Sequence, residues 1–480
     1  MPMTVMLLFV FLLFIAICFF LVHRHNSTTT KNLPPGSFGW PFIGETLAYI
    51  RSKRGGDPER FTKERIEKYG STLVFKTSVA GERMAVFCGP EGNKFLFGNE
   101  NKLVASWWPN SVRILFEKCL ITIRGDEAKW LRKMMFAYLG PDALSNRYTG
   151  TMEVVTRLHI QNHWQGKSEL KVFETVRPYL FELACRLFLS LDDPKHVAEL
   201  GTLFNTFLKG LTELPINIPG TRFYRAKRAA NAIKKQLIVI IKQRRQALKQ
   251  EDQSSSFEDL LSHLLVSSDE NGRFLSEAEI ANNVLLLLFA GHDTSAVSIT
   301  LLMKSLAEHP QVYDNVLKEQ LGILEAKAPG EMLNWEDIQK MRYSWYVVCE
   351  VMRLIPPVVG SFREALVDFE YAGYTIPKGW KIIWSAVMTH KEENNFPNAT
   401  KFDPSRFEGA GPTPFTYVPF GGGPRMCLGK ELARVRILVF LHNIMTKFKW
   451  DLLIPDEKIG YDPLATPVKG LPVRLHPHQV

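Results

Sequence analysis

One ten-residue stretch, FGGGPRMCLG at 420–429, limits what this chain can fold into more than any other feature. It joins three consecutive glycines to a single cysteine, and a long segment with apolar patterning follows at 431–447. A cysteine just before a helix lies where the helix dipole and the free N–H groups favour a thiolate. Glycines have no Cβ, so their backbone can approach a large flat ligand closely. The stretch therefore predicts a loop that presents one thiolate at the N-terminus of a helix.

Composition narrows the partners that such a chain can have. The 480 residues are 46% hydrophobic, enough for a large core, and carry a formal net charge of +10. A basic balance suits nucleic acid, an anionic membrane surface or an acidic protein. Because the sequence contains no nucleic-acid-binding module, we expect a membrane or an acidic protein and no nucleic acid. The six cysteines show neither C-x-x-C pairs nor zinc spacing, which indicates free thiols in a reducing compartment.

The N-terminal region contains an unbroken apolar run at 5–22. A run of about 17–25 apolar residues is long enough to cross a bilayer. Basic residues follow it and almost no charge precedes it, which by the positive-inside rule places the rest of the chain in the cytosol. The alternative, a cleaved signal peptide, needs a charged n-region and a small-residue cleavage site, and neither is clear here. We therefore expect a membrane anchor at 1–23, a basic and Pro/Gly-rich linker at 24–41 and one large domain at 42–480.

Patterning within the large domain predicts a mainly α-helical fold with a smaller β region. Residues 71–90 alternate and are rich in Val, Phe and Thr, which is typical of a hairpin. From Glu127 onward the pattern is mostly helical, interrupted by an apolar loop at 214–220 and a polar linker at 250–256. The basic segment 222–249 between them is either a solvated helix face or a contact with anionic lipid.

A second segment that points to chemistry has the sequence AGHDTS at 290–295, inside a long apolar stretch. Gly291 weakens a helix, and Thr294 can hydrogen-bond back to the carbonyl of Ala290, which bends helices. Asp293 places a costly carboxylate in apolar surroundings. We interpret the segment as a locally opened helix that delivers protons to a buried site. A helix kink with an exposed acid is the alternative.

A charge network is predicted from residues that precede the cysteine loop. Glu350 and Arg353 are three positions apart, so they share one helix face among apolar neighbours. Buried charges need further partners, and Arg406, in the sequence FDPSRF at 402–407, is a candidate to close the network. Single pairs of this kind are common, so the information lies in the order of the motifs along the chain.

These motifs, in this order, resemble those of the cytochrome P-450 family of haem-thiolate monooxygenases. The cysteine loop matches F-x-x-G-x-R-x-C-x-G in full, and the resemblance runs from about residue 34 to the end. It implies the P-450 fold preceded by one N-terminal transmembrane helix, with haem b bound in the domain 42–480 through the thiolate of Cys427. It also implies that Thr294 and Asp293 relay protons towards the haem iron and that Gly291 makes room for oxygen. The residues it implicates in haem binding are Arg132, Arg363, Phe420, Gly423, Arg425 and Gly429.

Longer stretches narrow the resemblance to plant oxidases of pentacyclic and dammarane triterpenes. They include GNKFLF at 92–97, NENKLV at 99–104, SWWP at 106–109 and VPFGGGPRMC at 418–427. Many members of that subfamily oxidise carbon 28 of β-amyrin-type skeletons from methyl through alcohol and aldehyde to carboxylic acid. We expect this reaction here, dependent on NADPH and O2. By position, the expected substrate-pocket residues are Trp107, Trp108, Leu287, Leu288, Ala290 and Val359.

Departures from the family pattern leave the regiochemistry open. Leu428 stands where many relatives have proline, and Ala128 stands where the family often has tryptophan or histidine. The alternatives are hydroxylation of another ring carbon or of a different terpenoid, such as a dammarane, a sterol or a diterpene. Two other functions also remain open: a haem-thiolate isomerase or lyase that uses no reductase, and a non-catalytic haem protein.

Electrons must come from another protein, because no G-x-G-x-x-G nucleotide-binding fingerprint follows a strand. The resemblance implies a membrane-bound NADPH–cytochrome reductase as the partner. It also implies a single-pass protein of the endoplasmic reticulum membrane, with the catalytic domain in the cytosol beside lipid and a hydrophobic terpenoid. We expect the acidic surface of the reductase to meet basic residues on the cysteine side of the domain: Lys133, Lys430, Arg434 and Arg436.

Overall fold

The computed structural model describes residues 8–9, 11–17, 32–250 and 259–478. Residues 8–9 and 11–17 are helical, and their apolar side chains are exposed. The rest of the predicted anchor, residues 24–31 of the predicted linker and most of the polar linker at 250–256 lie outside the described residues. The division of the chain at residues 23 and 41 therefore stays a prediction.

Helices build most of the described chain, as the sequence predicted. They are α1 Thr46–Arg54, α2 Arg60–Tyr69, α3 Gly89–Gly98, α4 Asn110–Phe116, α5 Gly125–Leu139, α6 Pro141–Ala143, α7 Thr149–His163, α8 Val172–Leu189, α9 Pro194–Leu208, α10 Arg222–Gln250, α11 Leu260–Val266, α12 Glu277–Glu308, α13 Pro310–Glu325, α14 Trp335–Lys340, α15 Arg342–Leu354, α16 Ala386–His390 and α17 Lys430–Met445. A π-helical turn spans Leu144–Tyr148, and 3₁₀ turns span Pro404–Phe407 and Gly423–Arg425.

Short strands form the smaller β region. They are β1 Val74–Val79, β2 Glu82–Phe87, β3 Val104–Ser106, β4 Glu169–Lys171, β5 Gly360–Ala365, β6 Phe369–Tyr371, β7 Tyr374–Ile376, β8 Lys381–Ser385, β9 Phe448–Leu452, β10 Ile459–Tyr461, β11 Ala465–Pro467 and β12 Pro472–Pro477. The largest sheet has the order β1-β2-β8-β5-β3, in which β2 and β8 are parallel and the other pairs antiparallel. The predicted hairpin at 71–90 is the antiparallel pair β1–β2, so that prediction is confirmed.

The long helix α12 forms the centre of the fold. It starts with a capping box, in which Ser276 and Glu279 satisfy each other's backbone N–H groups. It packs against α8, α10, α15 and α17, so most of its side chains are buried. Its length and apolar composition would allow it to cross a membrane, but 72% of its apolar 18-residue stretch is buried inside the protein. The helix is therefore the core around which the other elements pack.

Two further predictions about segments are decided by the structure. The stretch 214–220 is a loop with exposed apolar side chains, as expected: Leu214 is 66% exposed and Ile218 is 60% exposed. The expected local opening of the helix at 290–295 is wrong, because α12 runs through these residues without interruption. Thr294 bonds back to the Ala290 carbonyl as expected, at 2.8 Å, yet the helix accommodates this bond.

Candidate functional site

The cysteine loop ends at the start of a helix, as the sequence predicted. The 3₁₀ turn Gly423–Arg425 precedes Cys427, whose backbone N–H donates to the carbonyl of Phe420 at 2.8 Å. Helix α17 begins at Lys430, with Gly429 as its N-cap. Cys427 is the one free cysteine among the described cysteines that solvent reaches; the other four are buried.

Position alone does not make the Cys427 thiol acidic. Although solvent reaches the residue, desolvation by the surrounding protein raises the pKa of the Cys427 thiol. The backbone N–H of Gly429 and the charge of Arg132 oppose the rise but do not cancel it. The expected thiolate therefore needs more than a helix N-terminus. A bound metal cation would stabilise the thiolate, since a thiol that coordinates a metal is deprotonated outright.

The glycines of the loop are required mainly by a neighbouring phenylalanine. A Cβ on Gly422 would lie 2.4 Å from the ring of Phe97, and one on Gly423 would lie 2.5 Å from the Phe97 carbonyl oxygen. Gly423 also has φ +63°, a conformation that favours glycine. These two glycines therefore allow the loop to pack on α3. That they also allow the close approach of a flat ligand stays a prediction.

Two of the predicted haem-binding arginines meet at one buried carboxylate. Glu100 is 1% exposed at its side chain, and it lies 2.7 Å from Nε of Arg363 and 3.2 Å from Nε of Arg425. Arg425 also donates to the carbonyls of Leu120 and Ile123, at 3.0 and 2.8 Å. Glu100 thus links strand β5 to the cysteine loop, although nothing in the sequence pattern marked it as part of the site.

The arginines around Cys427 fit the charge of a haem. Arg132 of α5 is half-buried and donates through Nη2 to the carbonyl of Met426, next to the cysteine. Together with Arg363 and Arg425, which pair with Glu100, Arg132 makes three guanidinium groups to one carboxylate, so the group keeps two positive charges in excess. The two propionates of haem b would balance that excess, and guanidinium–carboxylate bonds are strong. Among the described residues no cluster of His, Cys, Asp or Glu could hold a metal ion by itself. A single accessible cysteine beside these arginines fits an iron that a macrocycle with two carboxylates already holds.

The middle of α12 presents a narrow accessible face in a buried helix. Ala290 is exposed and Thr294 is half-buried, whereas Leu285, Asp293 and Ser295 are buried. Ala290 and Thr294 are four residues apart and therefore share a face. The two residues form an accessible patch on the core helix, which suits a role beside a ligand.

Asp293 points away from that face and is held by two partners. Arg177 of α8 donates to the carboxylate through Nε at 2.5 Å and Nη2 at 3.3 Å, and His292 Nε2 lies 3.1 Å from Oδ1. Burial opposes ionisation of Asp293, but the hydrogen bonds from His292 and Arg177 outweigh it and lower its pKa to about 2. Asp293 is therefore ionised at neutral pH. Arg177 is a second site residue that the sequence alone did not reveal.

Gly291 faces the protein rather than the accessible patch. A Cβ on Gly291 would lie 3.2 Å from Nη1 of Arg436 and 3.7 Å from the ring of Phe188. In this structure Gly291 makes room for an arginine of α17. That it also makes room for oxygen stays a prediction.

The predicted charge network is formed in full. Glu350 and Arg353 have no exposed side-chain surface, and Arg353 Nε lies 2.7 Å from Glu350 Oε2. Arg406 Nε approaches Glu350 Oε1 at 3.5 Å. Arg353 also donates to the carbonyls of His390 and Ala399, at 2.8 and 2.7 Å. The network fastens α15 to the segments that lead towards the cysteine loop.

Two of the six expected substrate-pocket residues share a cavity. Trp107 and Trp108 line a cavity of about 390 Å³ together with Ile121, a size that suits a small-molecule site. Leu287, Ala290 and Val359 are not among its lining residues. Leu288 has no exposed surface and packs in the core, so its interpretation as a pocket wall is wrong.

The expected docking surface for a reductase is partly corrected. Lys133 is exposed and Lys430 is half-buried, so both reach the surface. Arg434 is half-buried and pairs with Glu431 at 3.2 Å. Arg436 is 1% exposed and cannot contact another protein. The alternation of charged and apolar residues at the start of α17 does not show that Arg434 reaches the surface whereas Arg436 is buried.

Comparison with known proteins gives one consistent family. The model of the family Cytochrome P450 matches residues 34–468. A β-amyrin 28-monooxygenase from Vitis vinifera is 53% identical over 96% of each chain, and one from Saponaria officinalis is 52% identical over 96% of this chain and 95% of its own. A protopanaxadiol 6-hydroxylase from Panax ginseng is 47% identical over 97% of each chain. The structure of a retinoic acid-bound cyanobacterial CYP120A1 has a TM-score of 0.85 and 34% identity, over 94% of this chain and all of its own.

Proposed function

This chain belongs to the cytochrome P450 family, and on that premise we propose that it is a membrane-bound monooxygenase that oxidises carbon 28 of a β-amyrin-type triterpene. As a member of the family it is a haem-thiolate enzyme that receives electrons from a reductase. The observation that carries the proposal is the accessible Cys427 among arginines whose excess charge matches two propionates. The names of the β-amyrin 28-monooxygenases support the choice of substrate and carbon.

The residues around Cys427 bind and orient the haem in this proposal. Bound haem supplies oxygen activation, because a thiolate ligand favours O–O cleavage. Cys427 is the ligand, and Arg132, Arg363 and Arg425 hold the propionates. Phe420, Gly423 and Gly429 shape the loop, through the Cys427 N–H bond to Phe420 and the N-cap of α17.

The accessible face of α12 handles protons in this proposal. The Thr294 hydroxyl donates its proton to the Ala290 carbonyl, so its oxygen is free to accept a hydrogen bond from a proton donor. Asp293 is one residue away and ionised. When Arg177 releases the carboxylate, Asp293 takes up a proton from water and passes it to the Thr294 oxygen, while Thr294 gives up its own proton towards the accessible face. Relay through positioned side chains speeds proton-dependent steps by about 10²–10⁴-fold.

The wider reaction and setting are also part of the proposal. NADPH is the electron source, through a reductase that docks near Lys133 and Lys430. The enzyme oxidises carbon 28 in successive steps, from methyl to carboxylic acid. It is held at the endoplasmic reticulum membrane by residues 1–23, with the domain 42–480 in the cytosol. An anchored enzyme meets a hydrocarbon substrate where that substrate partitions.

Two experiments test the proposal. Co-expression with a reductase in a host that makes β-amyrin, α-amyrin, lupeol or dammarenediol is expected to yield the 28-oxidised product of β-amyrin. Absence of any oxidised triterpene, with haem incorporated and the reductase active, would contradict the substrate assignment.

The variant Cys427→Ser is expected to lose the thiolate-type Soret band of the reduced carbonyl complex. An unchanged band would refute the ligand.

A second candidate is oxidation of another carbon or of a dammarane skeleton. The 47% identity with a protopanaxadiol 6-hydroxylase favours it, because that value is close to those of the β-amyrin enzymes. The same co-expression separates the two, since the oxidised position is read from the product. Turnover of a hydroperoxide without NADPH would instead identify an isomerase or lyase.

A further inference from the structure

Arg436 of α17 is a buried cation that the proposed reaction does not use. Only 1% of its surface is exposed, and burial lowers the pKa of its guanidinium to about 10, so the group is charged at neutral pH. Its Nε and Nη2 have no hydrogen-bond partner among the described residues. A buried charge with so little compensation is costly, and such groups call for an explanation.

Among the described residues, the hydrogen bond that Arg436 makes reaches the centre of α12. Nη1 donates to the carbonyl oxygen of Gly291 at 2.7 Å, and the guanidinium lies 5.5 Å from the ring centroid of Phe188. A Cβ at position 291 would lie 3.2 Å from the same nitrogen, tighter than ordinary contact. The glycine and the arginine are therefore matched: the first allows the second to approach the helix backbone.

This contact lies within the turn that carries the proposed proton relay. Thr294 binds the carbonyl that precedes Gly291, and Asp293 is held from the other neighbour, α8, by Arg177. A side chain that engages a helix carbonyl competes with the helix's own hydrogen bond and can tilt that carbonyl. We propose that Arg436 is a positioning residue, which holds the Gly291 carbonyl and so sets the geometry of Asp293 and Thr294 for proton delivery. The inference rests on the proposed monooxygenase function.

The test replaces Arg436 by methionine in the full-length holoenzyme. Arg436→Met removes the charge and the donor but keeps a long unbranched side chain. The control is Arg186→Met on the neighbouring helix α8, whose guanidinium pairs with Asp192 at 3.1 Å instead of α12. Amide hydrogen exchange is measured over 291–298, and hydrogen peroxide formed per NADPH oxidised is measured with a reductase and β-amyrin.

We expect exchange at 291–298 to rise about tenfold in Arg436→Met, as loss of one charge-assisted hydrogen bond implies. We expect a larger share of NADPH to appear as peroxide, with the thiolate Soret band retained and the thermal midpoint not lowered, since a buried charge is removed. Wild-type exchange and peroxide share in Arg436→Met, or equal changes in Arg186→Met, would overturn the inference. If the methionine variant does not fold, Arg436→Gln takes its place, with the same changes expected at smaller size.

The two readouts separate this inference from the proposed function. Exchange is measured without turnover, so an increase confined to the Arg436 variant supports the positioning contact even where β-amyrin is not oxidised. Oxidised β-amyrin together with wild-type exchange in the variant would retain the proposed function and refute the inference.

Discussion

At the scale of single residues, the carboxylate of Glu100 allows Arg363 and Arg425 to lie side by side. Arg363 and Arg425 would repel each other in a buried site without a carboxylate between them, since like charges interact strongly at low dielectric. Glu100 also accepts the N–H of Ser106 at 3.1 Å, so its position is fixed by β3 as well. We infer that Glu100 prepares the two guanidinium groups for the propionates.

Glu100→Gln is expected to weaken haem retention and the folded state together. Removal of one partner of a buried ion pair costs about 3 kcal/mol, because it leaves the other charges uncompensated. The measurements are the thermal midpoint and the rate of haem transfer to an acceptor apoprotein. Glu364→Gln is the control, because Glu364 neighbours Arg363 on β5 but pairs with Arg124 and Lys381. Equal haem transfer in the two variants would contradict the role of Glu100.

Thr294 gives a second prediction at this scale. Thr294→Ala removes the hydroxyl from the accessible face of α12 and is expected to increase peroxide release relative to product by about tenfold or more. Thr294→Ser keeps the hydroxyl and the bond to Ala290, so it is expected to stay near wild type. The ratio of peroxide to NADPH oxidised checks both. A wild-type ratio in Thr294→Ala would remove the residue from the relay.

At the scale of elements, the Glu350–Arg353 pair holds helix α15 against the segment 390–403. Arg353 binds Glu350 through two nitrogens and reaches the carbonyls of His390, Ala399 and Lys401. Glu350 in turn accepts the N–H of Asp403 at 2.9 Å. One arginine of α15 therefore satisfies backbone carbonyls at the end of α16 and in the irregular stretch that follows it.

Arg353→Met is expected to destabilise the fold by about 3–5 kcal/mol, since it leaves Glu350 buried without its main partner. The free energy of unfolding in denaturant measures the effect. Arg342→Met, on the exposed first turn of the same helix, is the control and is expected to change stability by less than about 0.5 kcal/mol. Similar losses in both variants would show that the helix, and not the network, sets stability.

Elements were easier to predict from the sequence than the contacts between them. The hairpin at 71–90, the loop at 214–220 and the helix after Cys427 follow from local patterns, and all three are confirmed. Glu100 and Arg425 are 325 positions apart, so no local pattern could pair them. The burial of Arg436 depends on what packs beside α17, and helical periodicity does not tell which neighbour that is.

At the scale of the whole molecule, apolar side chains exposed near the N-terminus extend the surface expected to face a membrane. Trp40 and Phe42 are each 75% exposed, and the loop at 214–220 is exposed as well. Asp462 lies 4.0 Å from Arg54 at the end of α1 and 3.4 Å from Thr212 before the loop, so α1 and the segment before the loop approach the same residue. The net charge of +10 would add attraction to anionic lipid.

Deletion of residues 1–30 is accordingly expected to weaken membrane binding without abolishing it at low salt. In that background, Leu214→Ser with Ile218→Ser is expected to lower partition into anionic vesicles by at least about tenfold, because each inserted side chain contributes about 1.5–3 kcal/mol when fully buried. Leu324→Ser with Met332→Ser, at side chains 43% and 45% exposed elsewhere, is the control and is expected to have little effect. Vesicle flotation at low and high salt measures the membrane binding of all these variants, since salt screens the electrostatic contribution to binding and leaves the apolar contribution. If the truncated protein floats equally well with either pair of substitutions, the loop does not enter the membrane and another surface holds the domain there.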